Sequence, residues 1–554
     1  MDLSVKDLKA RVEGMKDERR NYEDKWRDIR DYIFPGSTAF IEDWNKNVDR
    51  DDDLILNSTP SDAHMILASG MQAGITSPSR PWFRLSVPDM TLAEYEPVKM
   101  WLKRTQDMMY MVYAKSNFYE STHSLFEQLS GPGVSAMGVF EDYDSVISCQ
   151  SYNVGSFWIA NDSRGRANTF ARAFKLSTAQ MVEKFGRDKV STAVKNAYEN
   201  GNYFNLWDVW YYVEPNTAQD KGALGWRGKP YRAVYWEDGC DKDKYLSVSG
   251  LYEFPVMCPR WSKGSNRPYG RSPAWRALPD AKMLMSLEEA DLLGIENLTN
   301  PPLVAPSNSQ DKIDRLPGGI SYYDETGGSK GLRTLYENLS YPGAVLQNKI
   351  QVVEERIRKV FFNDLFLMIS SMDKSGITAR EISARESEKL IMLGPVFEGA
   401  KSELLDPCID RTFAICLRNG LVGPPPEELQ GMPLQVDYTS ILAQAQKMVG
   451  LSAMNELVAN VGTLVQMGKT DVLDKFDADQ YVDEAANMLG ISPGIVVSAE
   501  NVAQIREMRA KQMAQQQAIE QGSEMADAAK TAADTPVGES NALEALMDMA
   551  GGQV

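Results

Sequence analysis

The chain has 554 residues, 43% hydrophobic and 25% charged, with a formal net charge of −18; this is ordinary globular composition, enough for about three to four domains' worth of core. The acidic balance argues against a tight nucleic-acid binder, which carries a basic face, but admits a protein past which DNA slides without being gripped. No apolar run reaches the ~18 residues of a membrane helix, the opening MDLSVKDLKARVEG lacks the signal-peptide pattern, and five cysteines without a C-x-x-C pair point to reduced thiols in a cytosolic setting.

Residues 4 to 34 predict an amphipathic helix, with Val5, Leu8, Val12, Met15, Tyr22, Trp26, Ile29 and Ile33 on one face and Pro35-Gly36 ending it. The acid-rich passage Asp49 to Asp53 reads as a solvated loop. A helix follows from Thr59-Pro60 to about Gly74, with Pro at its first position. In SPSRPWFRL (77–85) two prolines hold an extended segment, with Trp82, Phe83 and Leu85 buried, and 95 to 117 predicts a third helix. From Gly133 the period changes to two. Val134 to Glu141, Val146 to Ala160 and Thr169 to Leu176 read as strands, with Asn161 to Gly165 as a hairpin loop. Short helices (178–186, 188–200) separate these from strands at 206–214, 231–237 and 244–253.

The second half turns helical. One helix spans roughly 272 to 298. The Pro- and Gly-dense stretch 299 to 341 predicts a small exposed module. The clearest periodicity lies in 344 to 370, where Leu346, Ile350, Val353, Ile357, Val360, Phe361, Leu365 and Met368 share one face, with Glu354–Arg358 and Glu355–Lys359 pairs one turn apart. A polar loop follows from Ser371 to Ile377. Thr378 and Glu381 form a capping box opening a helix to about 419, broken near Gly394-Pro395. Pro424-Pro425-Pro426 marks a boundary, 438 to 490 reads as helix, ISPGIVVS (491–498) as a turn, and 500 to about 532 as an Ala- and Gln-rich helix. The last twenty or so residues are expected to be disordered.

No familiar catalytic constellation stands out in the sequence. His64 and His123 sit on predicted helices without a carboxylate or Cys at ligand spacing and read as packed or surface residues. Cys408 and Cys416 read as core thiols. Neither a phosphate-binding glycine loop nor a G-x-S-x-G elbow occurs. Glu288, Glu289 and Asp291 cluster in sequence, but neighbouring acids on a helix diverge. On the residues alone, a metal-dependent DNA-processing enzyme built from scattered acids and a non-conducting helical adaptor or scaffold stay open beside a mechanical role.

Four phrases in order resemble the portal (head-to-tail connecting) proteins of short-tailed double-stranded DNA bacteriophages: ILNSTPSDAHMILASGMQAGITSPSRPWFRL (55–85), YNVGSFWIANDSRGRANTFARAFKLSTAQM (152–181), YGRSPAWRALPDAKMLM (269–285) and TAREISARESEKLIMLGPVFEGAKSELLDPCIDRTFAICLRNG (378–420). The resemblance spans about residues 1 to 510. It implies a predominantly helical α+β portal fold: a wing (1–270, with helices 378–430), two stem helices (271–298 and 342–370), a clip (299–341) and a tunnel loop (371–377). A crown (431–498), a helical tail or partial barrel (499–532) and a disordered end (533–554) complete it. In such proteins twelve subunits form a ring at one capsid vertex, in the virion, after assembly in the host bacterial cytoplasm. The resemblance further implies double-stranded DNA in the channel without sequence specificity. It implies as partners the terminase large subunit, a tail adaptor, and major capsid and scaffolding proteins, with no membrane, cofactor, metal or catalytic residue. The tunnel loop would present Ser371, Met372, Asp373, Lys374, Ser375 and Gly376 to the DNA.

Overall fold

The computed structural model describes residues 4–35, 55–89, 95–238, 244–264, 267–300, 303–304, 333–334, 343–367, 393–429, 434–440, 457–489 and 502–516, with the single residues 92, 454, 497 and 530. The chain forms two compact units, Met1–Leu457 and Val458–Val554.

The first unit is organised around a five-stranded antiparallel sheet, β4 (Phe157–Asn161), β5 (Ala167–Ser177), β6 (Leu206–Pro215), β7 (Tyr231–Glu237) and β8 (Ser247–Leu251), in that spatial order. Helix α1 (Val5–Tyr32) covers one face. Its Val5, Leu8, Val12 and Met15 lie in one core with Ala171, Ala173, Trp210, Tyr212, Val234 and Trp236. Strand alternation makes this face apolar, and Trp210 stands directly across from Trp236 with their rings stacked at 5.8 Å. Helix α1 begins where the sequence predicts, because Ser4 and Asp7 close a capping box.

The opposite face meets a three-stranded sheet, β2 (Ala136–Asp142) between β3 (Val146–Tyr152) and β9 (Val256–Met257). The single strand expected over 146–160 is two strands in different sheets. A 3-10 turn at Val154–Ser156 carries the chain across, held by Ser156 N and Oγ donating to the Asn153 carbonyl at 2.9 and 2.7 Å. The hairpin loop at Asn161 to Gly165 forms as expected: Asp162 Oδ1 accepts from the backbone N–H groups of Arg164 and Arg166 at 2.8 Å, and Gly165 supplies a φ of +76°.

Helices α2 (Thr59–Ile75), α3 (Glu96–Lys115) and α4 (Phe118–Ser130) build the second large core. Short helices α5 (Thr178–Phe185) and α6 (Thr192–Glu199) follow β5, and α7 (Pro273–Thr299) follows β9. Segment Trp82, Phe83, Leu85 is buried as predicted. Its strand β1 (Phe83–Ser86) has a partner that no local pattern announces: β12 (Gln435–Tyr438), antiparallel, with Phe83 opposite Tyr438. Residues 438 to 440 are therefore not the start of the expected helix.

Gly394 and Pro395 lie at the start of the described helical stretch 393–400, and the other side of the break expected there lies outside the described residues. A further irregularity follows. Lys401–Leu405 is a π-helical stretch leading into α9 (Asp406–Arg418). Pro407 has no N–H to offer the Glu403 carbonyl, so the ladder loosens there. An ion pair occupies the same turn: the buried Arg260 guanidinium engages the Glu403 carboxylate, which also accepts Lys263 Nζ at 2.8 Å.

In the second unit, 458–466 and α10 (Ala478–Leu489) are helical with a 3-10 turn at Thr470–Lys475 between them, and 502–516 is helical. Arg506 and Asp479 form a bidentate pair, both contacts 2.7 Å.

Candidate functional site: a projecting helical hairpin and its base

Helix α7, at 1.5 Å per residue about 40 Å long, runs antiparallel to α8 (Gly343–Val360). Polar rungs mark the register. Arg356 pairs with Asp280 at 3.1 Å. Asn57 Nδ2 donates to Glu288 at 2.6 Å and Glu354 at 3.0 Å, joining the two helices to the segment ahead of α2. Gln347 Nε2 donates to Asp291 at 3.5 Å. Beyond the helices, β10 (Leu303–Val304) pairs antiparallel with β11 (Arg333–Thr334). The acids Glu288 and Asp291 thus serve helix–helix contacts, and among the described residues no group of three or more His, Cys, Asp and Glu is arranged to hold a metal ion.

The hairpin is half embedded. Near its base, Ala274, Ala277, Leu278, Ala281, Leu284, Ile350, Val353 and Ile357 belong to the core. Past Met285 only Asp291 of α7 is buried. Leu292, Leu293, Ile295 and Leu298 are 46 to 55% exposed, and Val345 on α8 is 72% exposed. A surface helix normally turns such residues inward, so the outer half of the hairpin carries an apolar surface that the described residues leave uncovered.

At the base the long helix read over 344–370 does not run through. It ends at Val360; Phe362 takes a φ of +56°, and 363–367 forms a further helical turn. A left-handed conformation in a non-glycine residue costs roughly 1–2 kcal/mol, and packing offsets it: Phe361, Leu365 and Phe366 are all buried in the main core. Phe366 lies against Gly70 of α2 so closely that a Cβ there would stand 2.3 Å from its ring. Sequence periodicity missed this kink because the apolar spacing stays helical on both sides of it. The predicted tunnel-loop residues Ser371, Met372, Asp373, Lys374, Ser375 and Gly376, the remainder of the predicted clip and the Thr378 capping box lie outside the described residues.

His64 sits beside this base, its ring centroid 4.4 Å from that of Phe34 and 6.2 Å from that of Phe361. Its Nε2 is 3.0 Å from both the Glu127 carbonyl oxygen and Ser130 Oγ, so it is a packed residue. Burial lowers its pKa to about 4, opposed only by the Glu127 carbonyl. The unfolded imidazole takes up its proton near pH 6.5 and the folded one only near 4. The stability tied to the neutral ring is therefore complete above about pH 6.5 and is lost as pH falls toward 4, by about 3 kcal/mol in all. Urea denaturation at pH 7.5 and 5.0 should show the parent losing about 2 kcal/mol more than His64→Gln; equal losses would mean that the ring is not held neutral.

The sequence matches the family described as "Bacteriophage head to tail connecting protein" over residues 5–496. It is 40% identical over 547 residues to the portal protein of Salmonella phage epsilon15, covering 98% of each chain. It is 38% identical over 547 residues to the probable portal protein of Bordetella phage BPP-1, covering 98% of this chain and 97% of that one. Family match and relatives both run through the sheet unit, the projecting hairpin and its base, and the chain therefore belongs to the bacteriophage head-to-tail connecting, or portal, protein family.

Proposed function

We propose that copies of this chain close into a ring, twelve as in the family resemblance, at one capsid vertex of the virion. The channel conducts double-stranded DNA during packaging and ejection. In this reading residues 1–270 and 378–430 are the wing, α7 and α8 the stem, 299–341 the clip that receives the terminase large subunit and later the tail adaptor, 371–377 the tunnel loop and 431–498 the crown. Major capsid and scaffolding proteins are neighbours of the rim, and the subunit itself performs no catalysis.

The observation that carries this reading is the uncovered apolar surface on the outer hairpin. Leu292, Ile295, Leu298 and Val345 stand exposed on a two-helix rod, with none of the described residues burying them, and side-by-side stems of neighbouring copies would cover them. Ile295→Asp is therefore expected to leave the subunit's stability within about 0.5 kcal/mol, as for an exposed position, but to prevent ring closure. Electron microscopy of the purified proteins reads the result. Closed rings with a duplex-wide channel for the parent, and none for the variant, are the expected outcome; a parent that stays monomeric or dimeric ends the proposal.

Lys374 gives the channel reading a second test. In a tunnel loop, a ring of lysines inside an acidic protein would meet phosphates one at a time, each contact worth only ~0–1 kcal/mol and so permitting sliding. Lys374→Glu should leave rings intact and lower DNA packaging or retention. Packaging and retention equal to the parent at low and moderate salt would remove Lys374 from the mechanism.

A further inference from the structure

Strand β5 alternates Phe170, Arg172, Phe174, Leu176 on the face opposite α1, and that face is otherwise core. Arg172 stands directly across from Tyr211 of β6, which stands across from Tyr235 of β7. A guanidinium thus occupies a register position where the pleat calls for an apolar side chain. Breaches of this kind collect at functional positions.

Above Arg172 a cavity of about 550 Å³ opens between the two sheets and α5, within the size range of small-ligand sites. The Arg172 guanidinium carbon lies 4.2 Å from the Tyr152 ring centroid and 4.7 Å from that of Phe174. Stacking of this kind leaves the guanidinium's N–H edge as its recognition surface. Its Nε is buried and has no hydrogen-bond partner among the described residues. Lys184 of α5 lines the same cavity with Nζ 4.8 Å from the Tyr235 centroid, and Lys175 adds a further cation to the wall.

No described carboxylate pairs with Arg172 or Lys184. The one acid on the wall, Glu141, is 54% exposed and engaged by Arg418 at 2.8 Å. Burial lowers the pKa of both Arg172 and Lys184, and Arg172 depresses Lys184 further, so the cations repel each other in a half-dry space. A neutral ligand leaves that repulsion in place, and a monoanion offsets one charge of the two. A phosphate dianion meets both, and its oxygens suit the fork of a guanidinium edge.

We propose that this cavity is a binding site for a small phosphate-class oxyanion, free or carried on a mononucleotide, held by Arg172 and Lys184. The test uses the full chain in chloride buffer of fixed ionic strength and follows thermal unfolding while inorganic phosphate, acetate or dAMP replaces chloride. Phosphate should raise the unfolding temperature in a saturable way and acetate should not. Stabilisation by dAMP at lower concentration than phosphate assigns the site to a nucleotide; stabilisation at the same or higher concentration assigns it to free phosphate.

Lys184→Gln, on a surface helix, should raise the half-saturating phosphate concentration about tenfold while leaving the unfolding temperature in plain chloride unchanged or higher, because a repulsion has been removed. Arg172→Gln should abolish the phosphate response, and Lys184→Gln keeps the test decisive if that strand variant fails to fold. Three results would overturn the site: no phosphate effect beyond chloride, acetate acting as strongly as phosphate, or a Lys184→Gln protein that is weaker in chloride yet responds to phosphate like the parent. The last would make the lysine a packing cation only.

Discussion

Glu403→Ala is expected to cost about 3–5 kcal/mol, the penalty for leaving one partner of a buried ion pair uncompensated. The side chains of Arg260 and Glu403 are only 1% and 8% exposed. Arg260 also donates from Nη1 to Asn161 Oδ1 at 3.1 Å and from Nη2 to the Gly165 carbonyl at 2.7 Å, while its backbone N–H reaches Glu403 at 3.1 Å. One guanidinium therefore ties the β4–β5 hairpin loop and the chain after β9 to the π-helical turn ahead of α9. Without Glu403 it stays buried with Lys263 beside it and no anion. Glu403→Gln retains acceptors but not the charge and should cost less than Glu403→Ala. Arg20→Ala is the control: its partner Asp17 is 69% exposed and Arg20 itself 77%, so the change should fall within about 0.5 kcal/mol. Denaturant melts of the three variants decide the matter; a loss under about 1 kcal/mol for Glu403→Ala would show that the pair adds little beyond its own desolvation.

That ion pair was not legible in the sequence, and the reason is general. What periodicity, caps and turn residues encode is local. The amphipathic face of α1, the Pro at the start of α2 and the hairpin loop around Asp162 were readable because each effect acts within a few residues. Arg260 and Glu403 are 143 residues apart, and β1 finds β12 across almost the whole first unit. Nothing in either segment names the other. The kink at Phe362 was hidden for a different reason: a left-handed residue inside an apolar run is dictated by the surface it must pack on, here α2, and not by its own propensity. Arg172 was visible as a letter, but its meaning depends on which face of β5 is buried, which the sequence leaves to the sheet. The projecting hairpin was the most legible part of the site, because two long periodic helices around a Gly- and Pro-rich insert admit few arrangements. Its uncovered outer surface was not, since periodicity says that a face is apolar and not what covers it.

Gly70→Ala tests the base of that hairpin, and its sign depends on Phe366. Considered as a helix residue, Ala is better than Gly by about 1 kcal/mol. The new Cβ, however, would stand 2.3 Å from Phe366 Cδ1 and 2.5 Å from both its Cβ and Cγ. Rotation of the ring does not relieve a clash with Cβ, so the turn 363–367 must move, and overpacking of this kind costs about 1–3 kcal/mol. The single substitution is thus expected to be net destabilising, by up to about 2 kcal/mol. Phe366→Ala, which empties a buried ring position, should cost about 3–5 kcal/mol. In the double variant Cδ1 and Cγ of Phe366 are gone, but a Cβ 2.5 Å from the new methyl remains, so the clash is relieved only in part and Gly70→Ala should cost less in the Phe366→Ala background than alone. A double-mutant cycle by denaturant unfolding measures this coupling. Additive single changes would mean that α2 and the turn do not meet as described. Coupling would mean that the contact between Gly70 and Phe366 fixes where the chain leaves the core after Phe362, immediately ahead of the loop proposed to face the DNA.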